Sequence, residues 1–542
     1  TMSEGTFRVP TPVNEPVRAY APGSAERQQL QAAVDEQRGT RLEAPNVIDG
    51  VDVLTGDTFV QRAPHDHDLE LAEVHAAGTG ELQRAIDAAV AAQHDWAAMP
   101  FADRAAVFLR AADLLAGSWR DTINAATILG QSKSVQQAEI DAACELIDFL
   151  RFNVSYAEQL LSEQPNSVDG EWNRLDLRPL EGFVLAITPF NFTAIAGNLP
   201  TAPAIVGNTV VWKPSEKQAL AAHHTMRLLQ AAGLPEGVIN LVHGDGAKAA
   251  ETAMADPRFA ALHFTGSEAV LSSLWQRVGG NISHYRSFPR IVGESGGKDF
   301  VLAHPSAQLD PLVVALGRGA FEYQGQKCSA ASRAYLPRSL WSRLRDPLAD
   351  LATTMSMGDV GADLSTFMGA VISESAFRTH AEAIERARSG GAEVLVGGDP
   401  DASEGWFVPP TVLVTDDPRS HSMTTELFGP ILTVFVYEDD EWEAMLPEVD
   451  QATRYALTGA VFAEDRAVLS GASEALRHTA GNLYLNDKPT GSVVGRQPFG
   501  GARRSGTNDK AGSVFNLLRW VSPRAIKETW DAPSDWRYPH QG

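Results

Sequence analysis

Cysteine is nearly absent: Cys144 and Cys328 are the only two in 542 residues. Two thiols so far apart, in unlike local patterns, argue against a disulfide framework and against a structural zinc centre. Positive charge is also scarce. The 45 basic residues face 68 acidic ones, a formal charge of −23, which argues against duplex nucleic acid or an anionic membrane as partner. An anionic small molecule stays possible, because a few local donors overrule a global field. No apolar run approaches the ~20 residues that cross a bilayer. Met2-Ser3-Glu4-Gly5 carries neither a charged-then-apolar signal nor an Arg-rich transit pattern, so a cytoplasmic protein is expected. The chain also lacks a Walker phosphate-binding sequence, internal repeats and low-complexity stretches.

What is present suits a large enzyme. Hydrophobic residues make up 44% of the chain, and its length calls for more than one core. Residues 1–49 are mostly polar with one Ala/Gln/Glu-rich helical stretch and read as an arm laid over the rest. Helical spacing of apolar residues spans 80–115 and again 135–153. Four short apolar strands then begin at Phe183, Thr209, Val238 and Ala261. Helical segments around 194–205, 216–232, 247–254 and 268–278 alternate with them. That alternation predicts a parallel sheet covered on both faces. A second α/β series has strands at 291–303, 332–336, 431–437, 457–463 and 481–486. The polar stretch 162–176 and the Trp- and Pro-rich tail 519–540 read as edge material that pairs with a neighbouring subunit.

The two cysteines sit differently. Ile140, Cys144 and Ile147 recur at i, i+4 and i+7, one face of an amphipathic helix, so Cys144 is expected to be inert packing. Cys328 lies in Gly325-Gln326-Lys327-Cys328-Ser329, a short polar connection between a helix over 310–322 and the strand 332–336. A thiol there is placed to meet a substrate. At a pKa of ~8.5 it is only a few per cent thiolate at neutral pH, so nearby positive charge such as Lys327 would raise its reactivity.

Three strand ends are candidate nucleotide contacts. Gly244-Asp245-Gly246 is half of a G-x-G-x-x-G and is weak alone. Phe264-Thr265-Gly266-Ser267 stands between strand and helix, where N–H groups and a hydroxyl can meet a pyrophosphate. Trp212-Lys213-Pro214-Ser215-Glu216 ends a strand with an ammonium, a hydroxyl and a carboxylate, groups that suit ribose hydroxyls. Ligands of such sheets bind outside the carboxyl ends of the strands.

Six motifs occur in order: Thr188-Pro189-Phe190-Asn191-Phe192, Trp212-Lys213-Pro214-Ser215, Phe264-Thr265-Gly266-Ser267, Gly293-Glu294-Ser295-Gly296-Gly297-Lys298, Gly325-Gln326-Lys327-Cys328 and Glu426-Leu427-Phe428-Gly429-Pro430. The set resembles the NAD(P)-dependent aldehyde dehydrogenases over roughly residues 50 to 530. Thr490-Gly491-Ser492-Val493-Val494-Gly495, Gln497-Pro498-Phe499-Gly500-Gly501-Ala502-Arg503 and Phe149-Leu150-Arg151-Phe152-Asn153 resemble the branch acting on L-glutamate γ-semialdehyde, the second step of proline breakdown.

The resemblance implies an α/β architecture: a Rossmann-type NAD-binding domain (50–161 and 180–290) behind the arm 1–49, an α/β catalytic domain (291–487) and a small oligomerisation flap (162–179 and 505–542). It implies that Cys328 attacks the aldehyde carbon, that Asn191 and the Cys328 N–H hold the oxyanion, and that Glu294 activates water. Lys213, Ser215 and Glu216 would face the adenosine ribose, Gly266 and Ser267 the pyrophosphate, Glu426 the nicotinamide ribose and Phe428 its ring. Gly491, Ser492 and Ser329 would grip the substrate carboxylate, Phe192 and Phe499 its methylenes, and Glu145 its amine end. NAD is the expected cofactor, since Glu216 would repel a 2′-phosphate. No metal is expected. A homo-oligomer is, with a proline dehydrogenase as functional partner. Two alternatives stay open: an aldehyde dehydrogenase of another substrate class, and a cysteine hydrolase or acyltransferase, which would need a histidine beside Cys328.

Overall fold

Two seven-stranded sheets organise the chain, and the cysteine connection leads into Ala331–Pro337, the central strand of the second. The structure, a computed structural model, describes residues 7–542; the expectation drawn from Met2-Ser3-Glu4-Gly5 lies outside the described residues. In the first sheet the order is Arg290–Glu294, Phe259–Thr265, Phe183–Thr188, Thr209–Pro214, Ile239–Leu241, Asn46–Ile48 and Val51–Val53. The first five run parallel, and the hairpin Asn46–Ile48/Val51–Val53 closes the edge antiparallel. Strands such as Thr209–Pro214 are buried along their whole length, the near-continuous apolar reading of a sheet covered on both faces.

The second sheet runs Glu393–Val396, Thr411–Thr415, Ile431–Tyr437, Ala331–Pro337, Asp299–Ala303, Thr458–Phe462 and Asn482–Leu485. All its pairs are parallel except the first.

The structure departs from the sequence reading at residues 291–303. They do not form one strand of the second sheet. Arg290–Glu294 pairs with Phe259–Thr265 in the first sheet, and Asp299–Ala303 belongs to the second. The chain passes between sheets through Ser295-Gly296-Gly297-Lys298, where space decides the residues. A Cβ on Gly296 would lie 2.0 Å from the Glu426 carboxylate, and one on Gly297 would lie 2.4 Å from the Cys328 carbonyl. Only glycine fits so close an approach.

The arm carries the expected Ala/Gln/Glu-rich helix. Ser24 caps the helix Ala25–Arg38 by accepting the Arg27 N–H at 3.3 Å, and Leu30 and Val34 pack against Ile128 and Leu129. Asn46–Ile48, placed within the arm by sequence, joins the first sheet. Glu171–Pro179 pairs antiparallel with Val521–Thr529 in a separate two-stranded ribbon, with Trp172 exposed on it and Trp530 just beyond. No helix among the described residues is long and apolar enough to cross a membrane.

Candidate active site

Cys328 follows a turn that the surrounding structure holds in place. The helix Leu309–Phe321 ends in the tight turn Glu322–Gly325, within which Tyr323 and Gln324 take left-handed conformations, φ 51° and 53°. Such backbone costs about 1–3 kcal/mol per residue and persists only when its surroundings over-determine it. Here they do. Gln324 Nε2 donates to the Ser132 and Ala370 carbonyls, both at 2.8 Å, and Gln326 Oε1 accepts the Ile372 N–H at 2.8 Å. A Cβ on Gly325 would fall 2.2 Å from the Gly429 carbonyl. The thiol that emerges is half-buried and lines an enclosed cavity.

Glu294 lines the same cavity, at the end of the first sheet's edge strand. Its Oε2 accepts the Gly501 N–H at 3.1 Å, and Gly500 and Gly506 leave the carboxyl uncrowded. Burial pushes this carboxyl up to about 8, partly offset by the Gly501 N–H and Lys510. A carboxyl that titrates near neutrality is suited to general-base work.

The thiol is also shifted upward, first by burial and then by the carboxylates of Asp299, Glu294 and Glu426. This corrects the expectation for Lys327. Its ammonium turns toward Glu322 (3.3 Å) and Asp141 (3.7 Å), so its charge is spent on those carboxylates. Asn191 precedes the helix Thr193–Ile205. Its Nδ2 donates to the Gln326 carbonyl at 3.1 Å, two residues before Cys328. An amide nitrogen carries two protons, so the bond to Gln326 fixes the direction of the second.

Phe192, Phe499, Ser329, Gly491, Ser492 and Glu145 all line the cavity that Cys328 and Glu294 share. Ser329 Oγ bonds Thr490 Oγ1 at 2.7 Å. Gly491 stands at φ 96°, a conformation that favours glycine. Burial and the neighbouring Asp141 raise the Glu145 carboxyl well above its ordinary value.

Sequence reasoning missed a buried ion pair that packs against Phe192 of this cavity. Lys133, fully buried, pairs with Asp141 at 3.1 Å and lies over the rings of Phe192 (4.1 Å) and Tyr323 (4.5 Å). A lone lysine in the polar run Gln131-Ser132-Lys133-Ser134 gives no sign of such burial. Cys144 is buried as expected, but not on a purely apolar face. It ends a π-helical turn, Glu139–Cys144, with Arg120 Nη2 at 3.4 Å and Glu139 Oε1 at 3.5 Å, and burial raises its thiol.

The nucleotide candidates gather at the carboxyl ends of the first sheet's strands. Lys213 is buried there, and among the described residues its Nζ hydrogen-bonds only the Pro214 carbonyl, at 2.9 Å. Gly246 leaves the space beside it open, since a Cβ there would lie 3.7 Å from Nζ. Ser215 and Ser267 each accept a cap N–H at 3.3 Å, from Lys217 and Val270, which leaves their O–H protons to donate outward. Glu216 is exposed, and Gly266 opens the turn before the helix Glu268–Gly280. A buried ammonium short of partners, an unfilled space, two outward hydroxyls and a helix N-terminus fit a dinucleotide. Glu426 and Phe428 come from the second lobe. Glu426 Oε1 accepts the Gly297 N–H at 2.9 Å, burial lifts its carboxyl to about 7, and Phe428 meets Phe190 edge-on at 5.9 Å.

His263 lines the cavity too, but its Nδ1 is bonded to the Leu199 carbonyl at 2.8 Å and its ring packs on Trp520. No histidine hydrogen-bonds Cys328 among the described residues, which removes the main support for a hydrolase. No group of three or more His, Cys, Asp or Glu there is arranged to hold a metal.

A thiol and a buried carboxyl in one cavity, beside a parallel sheet with a dinucleotide cradle, define a thiol-dependent oxidoreductase of aldehydes. The model of the aldehyde dehydrogenase family matches residues 54–524, and the chain belongs to that family. The mitochondrial Delta-1-pyrroline-5-carboxylate dehydrogenase of Bos taurus is 49% identical, covering 97% of this chain and 94% of its own. The crystal structure of the Mycobacterium tuberculosis Delta-pyrroline-5-carboxylate dehydrogenase bound with NAD superimposes with a TM-score of 0.96 at 57% identity, covering 99% of this chain and 100% of its own. Proline utilization A of Bdellovibrio bacteriovorus, inactivated by N-propargylglycine, matches with a TM-score of 0.91 at 30% identity. That match covers 96% of this chain and 54% of the other.

Proposed function

We propose that this protein oxidises L-glutamate γ-semialdehyde, the open form of Δ1-pyrroline-5-carboxylate, to L-glutamate with NAD, the second step of proline catabolism. The observation that carries the proposal is a single cavity lined by Cys328, Glu294 and the Gly491-Ser492 turn. NAD, when bound, accepts a hydride from the substrate carbon. Lys213, Ser215 and Glu216 hold its adenosine ribose, Gly266 and Ser267 its pyrophosphate, and Glu426 and Phe428 its nicotinamide end.

The chain's own residues do the rest. The Cys328 thiol gives up its proton to solvent water, and the thiolate sulfur adds to the aldehyde carbon to form the oxyanion of a thiohemiacetal. The free Asn191 N–H and the Cys328 main-chain N–H stabilise the oxyanion, each such donor being worth about 3 kcal/mol. Loss of hydride from that carbon leaves a thioester on Cys328. Glu294, once ionised, takes a proton from water, whose oxygen attacks the thioester carbon; the C–S bond breaks, releasing glutamate, and Glu294 returns the proton to the departing sulfur.

At the far end, Ser492 and Ser329 hydroxyls and the Gly491 N–H hold the substrate carboxylate, without an arginine. Phe192 and Phe499 flank the methylenes, and Glu145 faces the amine. Charge-assisted hydrogen bonds of this kind are roughly twice as strong as neutral ones, which separates this substrate from simple aliphatic aldehydes.

The domain division follows the same reading, with an NAD-binding domain, a catalytic domain and an oligomerisation flap over 162–179 and 505–542, which includes the ribbon Glu171–Pro179/Val521–Thr529. The exposed Trp172 and Trp530 support a homo-oligomer. A proline dehydrogenase is the proposed functional partner, since it would supply the substrate. The cytoplasm is the proposed location, although the bovine relative is described as mitochondrial.

A panel of semialdehydes of graded length, assayed by NADH formation with wild type and Ser492→Ala, tests the proposal. Activity on glutamate semialdehyde that falls selectively in Ser492→Ala supports it. Turnover of propanal with none of glutamate semialdehyde refutes it in favour of another substrate class.

A further inference from the structure

We infer that Asn14, on the N-terminal arm, is a positioning residue that holds the 491–497 loop in shape and so sets the affinity for the substrate's carboxylate end. The inference rests on reading Gly491-Ser492 as the carboxylate anchor.

Asn14 makes three bonds with one amide. Its Nδ2 donates to Asp148 Oδ2 at 2.8 Å and to the Val494 carbonyl at 2.7 Å, and its Oδ1 accepts Arg496 Nε–H at 3.1 Å. One side chain therefore ties the helix Glu145–Ser162, which carries Glu145 and Phe149 into the cavity, to the loop two residues beyond Ser492.

The point of attachment is firm. The Glu15 N–H donates to Asp148 Oδ1 at 2.7 Å, and the Glu15 carboxylate lies between Arg120 (2.6 Å) and Arg151 (2.8 Å). The Arg18 N–H donates to Glu139 at 2.8 Å. The arm is thus pinned to the π-helical turn and to the helix that follows it.

The loop's own bracing is confined to the turn 493–497 and does not reach Gly491 and Ser492. Gly491 and Gly495 both have positive φ, 96° and 82°, and glycine backbone has the most freedom to lose. Its internal braces meet at Val493, whose N–H donates to Gln497 Oε1 at 3.0 Å and whose carbonyl accepts the Arg496 and Gln497 N–H groups, both at 3.0 Å. A site that presents N–H and hydroxyl groups to a carboxylate binds better when those groups are already in place. An amide suits this position because it donates toward Asp148 and Val494 and accepts from Arg496. Aspartate there would set a carboxylate against Asp148 and a carbonyl.

The test compares glutamate semialdehyde with propanal, which has no carboxylate to anchor. In Asn14→Ala, KM for glutamate semialdehyde should rise about tenfold, the scale of one well-made hydrogen bond to a charged or loop group. Its kcat, and kcat/KM for propanal, should stay unchanged. Asn14→Asp should follow Asn14→Ala. Arg496→Ala, at an exposed side chain that leaves the fold intact, should shift KM in the same direction by less. An unchanged KM in all three variants, or equal losses on both aldehydes, overturns the inference. Ser492→Ala measured alongside keeps the two readings apart. Selective loss there with none in the Asn14 variants overturns the arm's role alone, whereas equal loss on both aldehydes in Ser492→Ala overturns the anchor itself.

Discussion

Glu294 gives the account its most quantitative prediction. Burial lifts its carboxyl to about 8, and only the ionised form can accept a proton from water. With that value about one molecule in ten carries the carboxylate at pH 7 and about nine in ten at pH 9. Thioester hydrolysis should therefore speed up about tenfold across that interval and level off above it. Stopped-flow NADH traces separate the steps. The burst reports the addition and hydride steps, and the slow phase reports hydrolysis wherever that step limits turnover. The burst should rise with pH as well, because the Cys328 thiol is shifted upward by burial and three neighbouring carboxylates. Glu294→Gln separates the two dependences, since it should keep the burst with its pH slope and lose the slow phase. A slow phase that is flat from pH 6.5 to 9.5 in wild type, or one that survives in Glu294→Gln, refutes the assignment of Glu294 as base.

The same burial has a consequence for stability, and Lys133 supplies another. An unfolded glutamate ionises near pH 4.3, whereas Glu294 holds its proton to about 8. Folding thus takes up a proton between those values, and stability from this group falls as pH rises through the window. Glu294→Gln should raise Tm, and more at pH 8 than at pH 5; an equal gain at both would contradict the burial argument. Lys133 and Asp141 form a 3.1 Å pair with side chains 0% and 11% exposed, and removing one partner of such a pair costs roughly 3–5 kcal/mol. Lys133→Met should lower the urea midpoint accordingly, and Asp141→Leu added to it should recover part of the loss, because Lys327 retains Glu322. A Lys133→Met protein as stable as wild type would contradict the cost assigned to breaking the pair.

Much of this architecture was legible because it rests on local signals. Phe183–Thr188 and Thr209–Pro214 are short apolar runs bounded by turns, and the connection around Cys328 is short and polar. Cys328, Glu294, Phe192, Phe499, Ser329, Gly491 and Ser492, part of the cavity's lining, were found through motifs, which carry backbone demands such as the positive φ of Gly491. What escaped was decided by packing across the chain. The break at Ser295-Gly296-Gly297-Lys298 sends two halves of an apparently continuous strand to different sheets, and it is set by the nearness of Glu426 and the Cys328 carbonyl. Lys133 looks like an ordinary polar residue until Phe192 and Tyr323 close over it. The direction of Lys327 depends on Glu322 and on Asp141, far away in sequence. Asn14 sits in a polar arm with no pattern at all, and only the folded chain brings it to Val494.

The central claim is that the reaction passes through an acyl group on Cys328. Glu294→Gln enzyme, mixed with NAD and glutamate semialdehyde, quenched in acid and digested, tests it directly by peptide mass. The peptide holding Cys328 should gain the mass of a glutamyl acyl group, and the one holding Cys144 should not. An unmodified Cys328 in enzyme that has produced NADH would contradict the account.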